Sequence, residues 1–427
     1  MAIELSNLTF TDEDDIVPAS GTDQIINTGI ANTLAGDDII TGTGSDPGIT
    51  NYGTINTDKG NDSITGNSGL GSFGFGIFNL GPINTGDDND IIIGTGRLGI
   101  YNGDIGSIDT GKGNDTITGN GDNTGIFNPH PGRIIDTGDG NDIITGTAQF
   151  GINNIGIIDT GNGNDTITGT ATLSITGTDT GHGIFQDPNG IINTGDGNDV
   201  ITGTNTTNNL GIANYGGTID TSDGNDSIIS HGKFTNTGNV FLGEGNDSIT
   251  ADTSFPNRAL ENFNAFDTGN GDDIITSTGV IYNEGIINTG NGDDSIIVDG
   301  GTDDITGTTY GIYNNGGAIN MGDGNDSIIA NEGFESGPNS SGAWFLGGGN
   351  DYIKGFGSGD FYGGNGNDTL ELTPGTYTVG IWGEGGESPI FTKGNQLMIT
   401  SEFEKLKAGS TIYDFTSLTA GQIIIVA

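Results

Sequence analysis

Cysteine is absent from this chain and basic residues are scarce: 10 Lys and Arg stand against 56 Asp and Glu, a formal net charge of −46. Without Cys there is no disulfide framework, no Cys-ligated zinc and no thiol catalysis. A surface so negative repels phosphate, which argues against nucleic acid as a partner, and it repels anionic lipid headgroups too. No purely apolar run is longer than the last five residues, Ile423 to Ala427, so membrane insertion is not expected. The opening MAIELSNLTFTDEDDIVP has no basic segment and no apolar stretch of roughly 7–15 residues, so it does not read as a cleaved secretory leader. Gly, by contrast, is abundant, at 83 of 427 residues. Such a bias signals disorder only where it lacks a period.

Here the period is plain. The turn TGxGNDxI recurs as TGKGNDTI from Thr110, TGDGNDII from Thr137, TGNGNDTI from Thr160 and TGDGNDVI from Thr194. Counted by its final Asp, the turn occurs fourteen times, at Asp38, Asp62, Asp90, Asp115, Asp142, Asp165, Asp199, Asp226, Asp247, Asp273, Asp294, Asp326, Asp351 and Asp368. The gaps range from 17 to 34 residues. Between turns lies a second recurring piece, such as GITNYGTINT from Gly48 and GINNIGIIDT from Gly151. Each unit therefore holds three short alternating segments separated by Gly, which reads as three strands and no helix. Strands this short cannot bury themselves, but stacked copies bury continuous Ile columns and pair every backbone group. The predicted fold is all-β: a β-solenoid over residues 25–368, with an N-terminal cap at 1–24 and a β-rich C-terminal cap at 369–427. In the tail, Thr376 to Trp382, Gln396 to Phe403 and Gln422 to Val426 read as strands, and Glu402 to Lys407 as a turn or short helix.

In the turn, Gly supplies positive φ, Asp points inward, and the Ile two residues later anchors it. Repeated one coil apart, carboxylate and carbonyl oxygens lie about 5 Å from those of the next coil, a hard-oxygen arrangement suited to Ca²⁺. A file of uncompensated carboxylates would repel, so the charge balance calls for a cation.

These residues resemble the RTX, or hemolysin-type, calcium-binding repeats, GGxGxDxUx with U a large apolar residue. Gly363 to Glu371, GGNGNDTLE, fits all nine positions, and ten turns keep GxG[ND]D. Leu34, Asp58, Asp88 and Ser222 each replace a Gly in the other four. The family carries two turns in eighteen residues, whereas this chain carries one in about 25, so one line of several Ca²⁺ sites is expected. The predicted metal residues are Asp115, Asp142, Asp165, Asp199, Asp247, Asp273, Asp294, Asp326, Asp351 and Asp368, with Gly111, Gly113, Gly138, Gly140, Gly161, Gly163, Gly195 and Gly197. The resemblance also implies type I secretion through an uncleaved C-terminal signal, here ending DFTSLTAGQIIIVA, and an extracellular location, in solution or at the cell surface.

The Asn of GIxN, at Asn51, Asn79, Asn102, Asn128, Asn154, Asn214, Asn283 and Asn314, reads as a stacked amide ladder. The residue before it is often aromatic, as at Phe78, Tyr101, Phe127, Phe185, Tyr282 and Tyr313, either exposed for sugar stacking or covered by loops. His130, His182 and His231 have no metal-ligand spacing, and no catalytic constellation stands out, so no enzymatic activity is expected. The leading expectation is a secreted, calcium-folded structural or surface-associated solenoid. The alternatives are an adhesin for polysaccharide or ice and the calcium module of a polysaccharide-modifying enzyme. The partners left open beyond calcium are polysaccharide and other copies of the chain.

Overall fold

Residues 143–165 illustrate how one repeat becomes one coil. Strands Ile143–Ala148, Phe150–Asn154 and Ile157–Asp159 are separated at Gln149 and at Ile155 and Gly156, and the turn 160–165 closes the coil. Alternation sends Ile144, Ile152 and Ile158 inward, each with no exposed surface. In the next coil Ile167, Ile184 and Ile192 sit directly on them in parallel register. Three Ile columns thus form the core, each buried side chain contributing roughly 1.5–3 kcal/mol. The computed structural model describes residues 2–18, 23–69, 74–172, 181–205, 210–253, 257–303, 305–337, 342–383 and 388–427.

The chain divides into two compact units, Met1–Phe234 and Thr235–Ala427. Both are stacks of parallel three-stranded coils, so the all-β solenoid read from the repeats is the observed fold. In the first unit the stack begins within residues 1–24: Ala2–Glu4 pairs in parallel with Gln24–Asn27, and Ile16–Val17 with the strand at Ile39. In two coils the first and second strands fuse, as Ile91–Asn102 and Thr116–Asn128. The predicted amide ladder is present. Asn27, Asn51, Asn79, Asn102 and Asn128 each donate from Nδ2 to the amide oxygen of the next coil's Asn at 2.9–3.2 Å. Asn154 donates to Gln186 Oε1 at 3.0 Å and also to the Ile191 carbonyl, tying the second strand to the third.

The outer face of the first strands follows a pattern that the repeat alone does not announce. In register, Ile39, Ile91, Ile143 and Val200 alternate coil by coil with Ser63, Thr116, Thr166 and Ser227. Two residues on, the next outward file is mostly Thr, as at Thr118, Thr145 and Thr168.

In the second unit the core turns aromatic. Trp344 stacks on Phe361 at 4.3 Å between centroids, with Phe334 edge-on to both. A hairpin of Gly301–Thr302 with Thr309–Tyr310 carries Asp303, which takes the Nε–H of buried Arg258 at 2.6 Å. Parallel stacking ends at Gln396–Ser401 and Lys405–Ala408. Thr411–Asp414 then pairs antiparallel with Lys405–Ala408, and Gly375–Trp382 pairs antiparallel with both Ser388–Lys393 and Ile423–Val426. The tail strands fall close to where the sequence places them. The expected turn or helix at Glu402 to Lys407 is instead a turn leading into strand Lys405–Ala408, because its alternating Leu406 and Ala408 fit the sheet below.

Candidate metal centre

The turns nest more closely than any side chain would permit. A Cβ on Gly140 would lie 1.4 Å from the Gly113 carbonyl oxygen, and one on Gly163 would lie 1.3 Å from that of Gly140. Gly at the second position of these turns permits the close approach, and Gly at the first suits the conformation, with φ of 86°, 80° and 80° at Gly111, Gly138 and Gly161. Gly195 and Gly197 take φ of 78° and 159°. Leu34, Asp58 and Ser222 stand at the first position and adopt the same conformation there, with φ of 76°, 69° and 62°, whereas Asp88 stands at the second, with φ of 88° against 149° and 146° at Gly113 and Gly163. The three turns that lack the first Gly keep its conformation, and each of the four non-Gly residues carries local strain of roughly 1–2 kcal/mol.

Within the turns the carboxylates form a continuous file in each unit. In the first, the backbone N–H of Asp38 donates to Asp62 Oδ1, Asp62 to Asp90, Asp90 to Asp115, Asp115 to Asp142, Asp142 to Asp165, Asp165 to Asp199 and Asp199 to Asp226, all at 2.7–2.8 Å. In the second, Asp247, Asp273, Asp294, Asp326 and Asp351 donate in turn to Asp273, Asp294, Asp326, Asp351 and Asp368 at 2.7–2.9 Å. A neighbouring, exposed file runs the opposite way, with Asn141 N–H donating to Asn114 Oδ1 of the preceding coil at 2.7 Å. The turns are thus joined by hydrogen bonds through one oxygen of each carboxylate.

The other oxygen is left over. Oδ2 is buried with no hydrogen-bond partner in Asp38, Asp62, Asp90, Asp115, Asp142, Asp165 and Asp199, and in Asp273, Asp294, Asp326, Asp351 and Asp368. Burial is the first cause of the pKa shifts along the file. It pushes Asp62, Asp165, Asp199, Asp226 and Asp273 up to about 6 and Asp90, Asp142, Asp294 and Asp351 to about 7. Hydrogen bonds oppose the shift, and neighbouring carboxylates add to it. Asp326 rises furthest, to about 8. Its turn opens on buried Met321 where most others open on Thr, and the carboxylates of Asp294 and Asp351 on either side add to the rise.

That opening residue is a part of the site which the sequence pattern did not single out. Thr57, Thr110, Thr137 and Thr160 are buried and donate from Oγ1 to the carbonyl of the next coil's opener at 3.0–3.4 Å, a second ladder facing the carboxylates. The Asp368 turn differs by opening on Gly363, where a Cβ would lie 2.9 Å from Asp368 Oδ2.

Two further groups extend the file beyond the fourteen turns. Asp15 N–H donates to Asp38 Oδ1 at 2.8 Å, and the Asp15 carboxylate closes on the Thr11 N–H. At the other end Asp368 N–H donates to Glu404 Oε2 at 2.7 Å. Asp15 lies in TDEDDI and Glu404 in SEFEKL, neither of which has a Gly, so a Gly-based pattern passes over both. The aromatic file divides between the alternatives. Phe78 and Tyr101 are half-buried and stacked at 5.2 Å, whereas Tyr282 and Tyr313 are buried. Before the opening Thr of successive turns stand Asp109, Asp136 and Asp159, an in-register file that is exposed or half-exposed. Within it Asp136 is pushed to about 6 by burial and by Asp159 and Asp109 on either side.

The donors in the turns fit a hard cation in kind: all are oxygens, and a buried carboxylate oxygen is spare in coil after coil. Each coil adds one carboxylate to the buried file, and no group of three acidic or histidine side chains among the described residues could hold a metal, so an ion bound there would have to be shared between successive coils. No family model matches the chain, and no curated protein matches it either. Among the described residues no helix is long and apolar enough to cross a membrane.

Proposed function

We propose that this is a secreted, non-catalytic β-solenoid of the RTX type, structural or surface-associated, whose folding at neutral pH is coupled to calcium. The observation that carries this reading is the row of buried carboxylates, in which Asp38 to Asp199 and Asp273 to Asp368 each have one oxygen bonded to the preceding coil and one oxygen without a partner. Burying ionised carboxylates in file is costly unless a counter-charge is present. Calcium bound there supplies positive charge and oxygen coordination. The chain supplies the carboxylates of Asp115, Asp142, Asp165 and Asp199, those of Asp273, Asp294, Asp326, Asp351 and Asp368, and the carbonyls of the closely nested turn glycines. Asp38, Asp62, Asp90 and Asp226 belong to the same set, because they join the same hydrogen-bonded file despite Leu34, Asp58, Asp88 and Ser222 in their turns. Before export, in a compartment poor in free calcium, carboxylate repulsion keeps the chain open. Outside, sites of roughly 10⁻⁴–10⁻³ M affinity fill as it folds.

Equilibrium dialysis against calcium at pH 7.5 tests this. About 8–13 ions per chain are expected, in keeping with one per gap between coils. Binding of none or of one or two would remove calcium from the account and leave the file to protons.

A further inference from the structure

We propose that the outer face of the first strands in the unit Met1–Phe234 is a self-association surface, which a second copy of the chain covers by interdigitation. Three observations lead there, and none depends on calcium. The first is charge. The three outward files of these strands, from Ile39 to Ser227 and the two beside it, hold only Ser, Thr, Asn, Ile, Val and a terminal His231 at described positions. On a chain of net charge −46 such a face is where two copies can approach with least repulsion. The third-strand sheet does not offer this, because Asp109, Asp136 and Asp159 follow one another on its outside.

The second observation is shape. From Ile39 to Ser227 apolar side chains alternate with Ser or Thr at every step of the edge file, with Ile16 stacked beside Ile39 at its start, and Ile39, Ile91 and Ile143 remain 39–45% exposed. Knobs thus recur every two coils, about 9.6 Å apart, with holes between them. A copy displaced by one coil sets its knobs in those holes, which is the alternation of large and small residues that packs facing layers.

The third is area. Eight coils at about 4.8 Å and a width of about 17 Å give roughly 650 Å² per copy, or about 1,300 Å² in total. A specific interface needs more than about 1,000 Å².

Sedimentation equilibrium of the full-length protein in calcium buffer tests the proposal. A dimer is expected, tighter at higher salt because added ions screen the net charge. The double variant Ile91→Asp, Ile143→Asp should raise the dimer dissociation constant at least about tenfold, whereas Ile191→Asp, on the other sheet and 38% exposed, should leave it unchanged. Should the Asp variant lose its β spectrum, Thr116→Ile with Thr166→Ile decides, since each places a residue that the adjoining coil already carries there. Filling the holes should weaken the dimer. Stronger association of that variant would mean unspecific hydrophobic contact and overturn the interdigitated face. So would a wild-type chain that stays monomeric, including one whose face proves to bind ice or polysaccharide.

Discussion

In chelator, lowering the pH from about 8 to about 5 is expected to fold the chain without calcium. Ten carboxylates of the file have folded-state pKa values of about 6 to 8 against 3.8 for the free group. A raised pKa means that the folded chain binds more protons than the unfolded one. The resulting stability is therefore complete below about pH 4 and is lost as the pH rises through 6 to 8. Each such group changes stability by up to about 1.4 kcal/mol per pH unit inside that window. Even a few titrating together rival the 5–15 kcal/mol that holds a typical domain folded. Asp37 and Asp139 act the other way, their pKa values lowered by hydrogen bonds to Asn61 and Lys112 respectively, but both are at the surface and gain little from folding. Far-UV circular dichroism against pH in chelator reads the outcome. Loss of β signal on going from pH 8 to 5 would sink the idea that ionised buried carboxylates oppose folding.

Asp326→Asn should change sign with calcium. Asp326 is 1% exposed, its Oδ1 accepts the Asp294 N–H at 2.8 Å, its Oδ2 has no partner, and Met321 opens its turn. Keeping this acid neutral at pH 7 costs the folded state about 4 kcal/mol, from a shift between 3.8 and about 8. Asn retains the accepting oxygen and is neutral at no such cost, although its amide N–H₂ is left short of partners at about 1–3 kcal/mol. Without calcium the variant should therefore be more stable by about 1–3 kcal/mol at pH 7. In saturating calcium it should be less stable than the parent, because the two ions that Asp326 would share with its neighbouring coils each contribute about 1.4–2.7 kcal/mol at ten to a hundred times their dissociation constant. Urea midpoints read both arms. A variant more stable in both buffers would make the file a proton site only, and one less stable in both would give the carboxylate a structural role through hydrogen bonding alone.

The solenoid was legible because its two requirements, a residue inward at every second position and a stack of identical coils, leave their mark directly on the chain. Ile144, Ile152 and Ile158 show the first, and Asn128 and Asn154 the second. The carboxylate file was legible for the same reason, but its extent was not. Asp15 and Glu404 occupy file positions through tertiary stacking, without the Gly that marks a turn in sequence. Gly itself was too strict a guide, since Asp58 and Ser222 accept φ of 69° and 62° where the stack enforces them. The buried Thr openers were hidden because a Thr beside Gly reads as a solvated turn until the coil beneath it supplies a carbonyl. The alternation of Ile143 with Thr116 and Thr166 was hidden too, since it appears only when first strands some 25 residues apart are laid in register.

The most direct test of the central claim, that the buried carboxylate file must be neutralised for the chain to fold, is far-UV circular dichroism at pH 7.5 as calcium is added to chelated protein. The account predicts a coil-like spectrum in chelator that becomes β-rich in one cooperative step as the ions bind. A chain already fully β in excess chelator at that pH would contradict it, because the Ile columns and the Asn ladder would then suffice to hold the carboxylates together with no counter-ion.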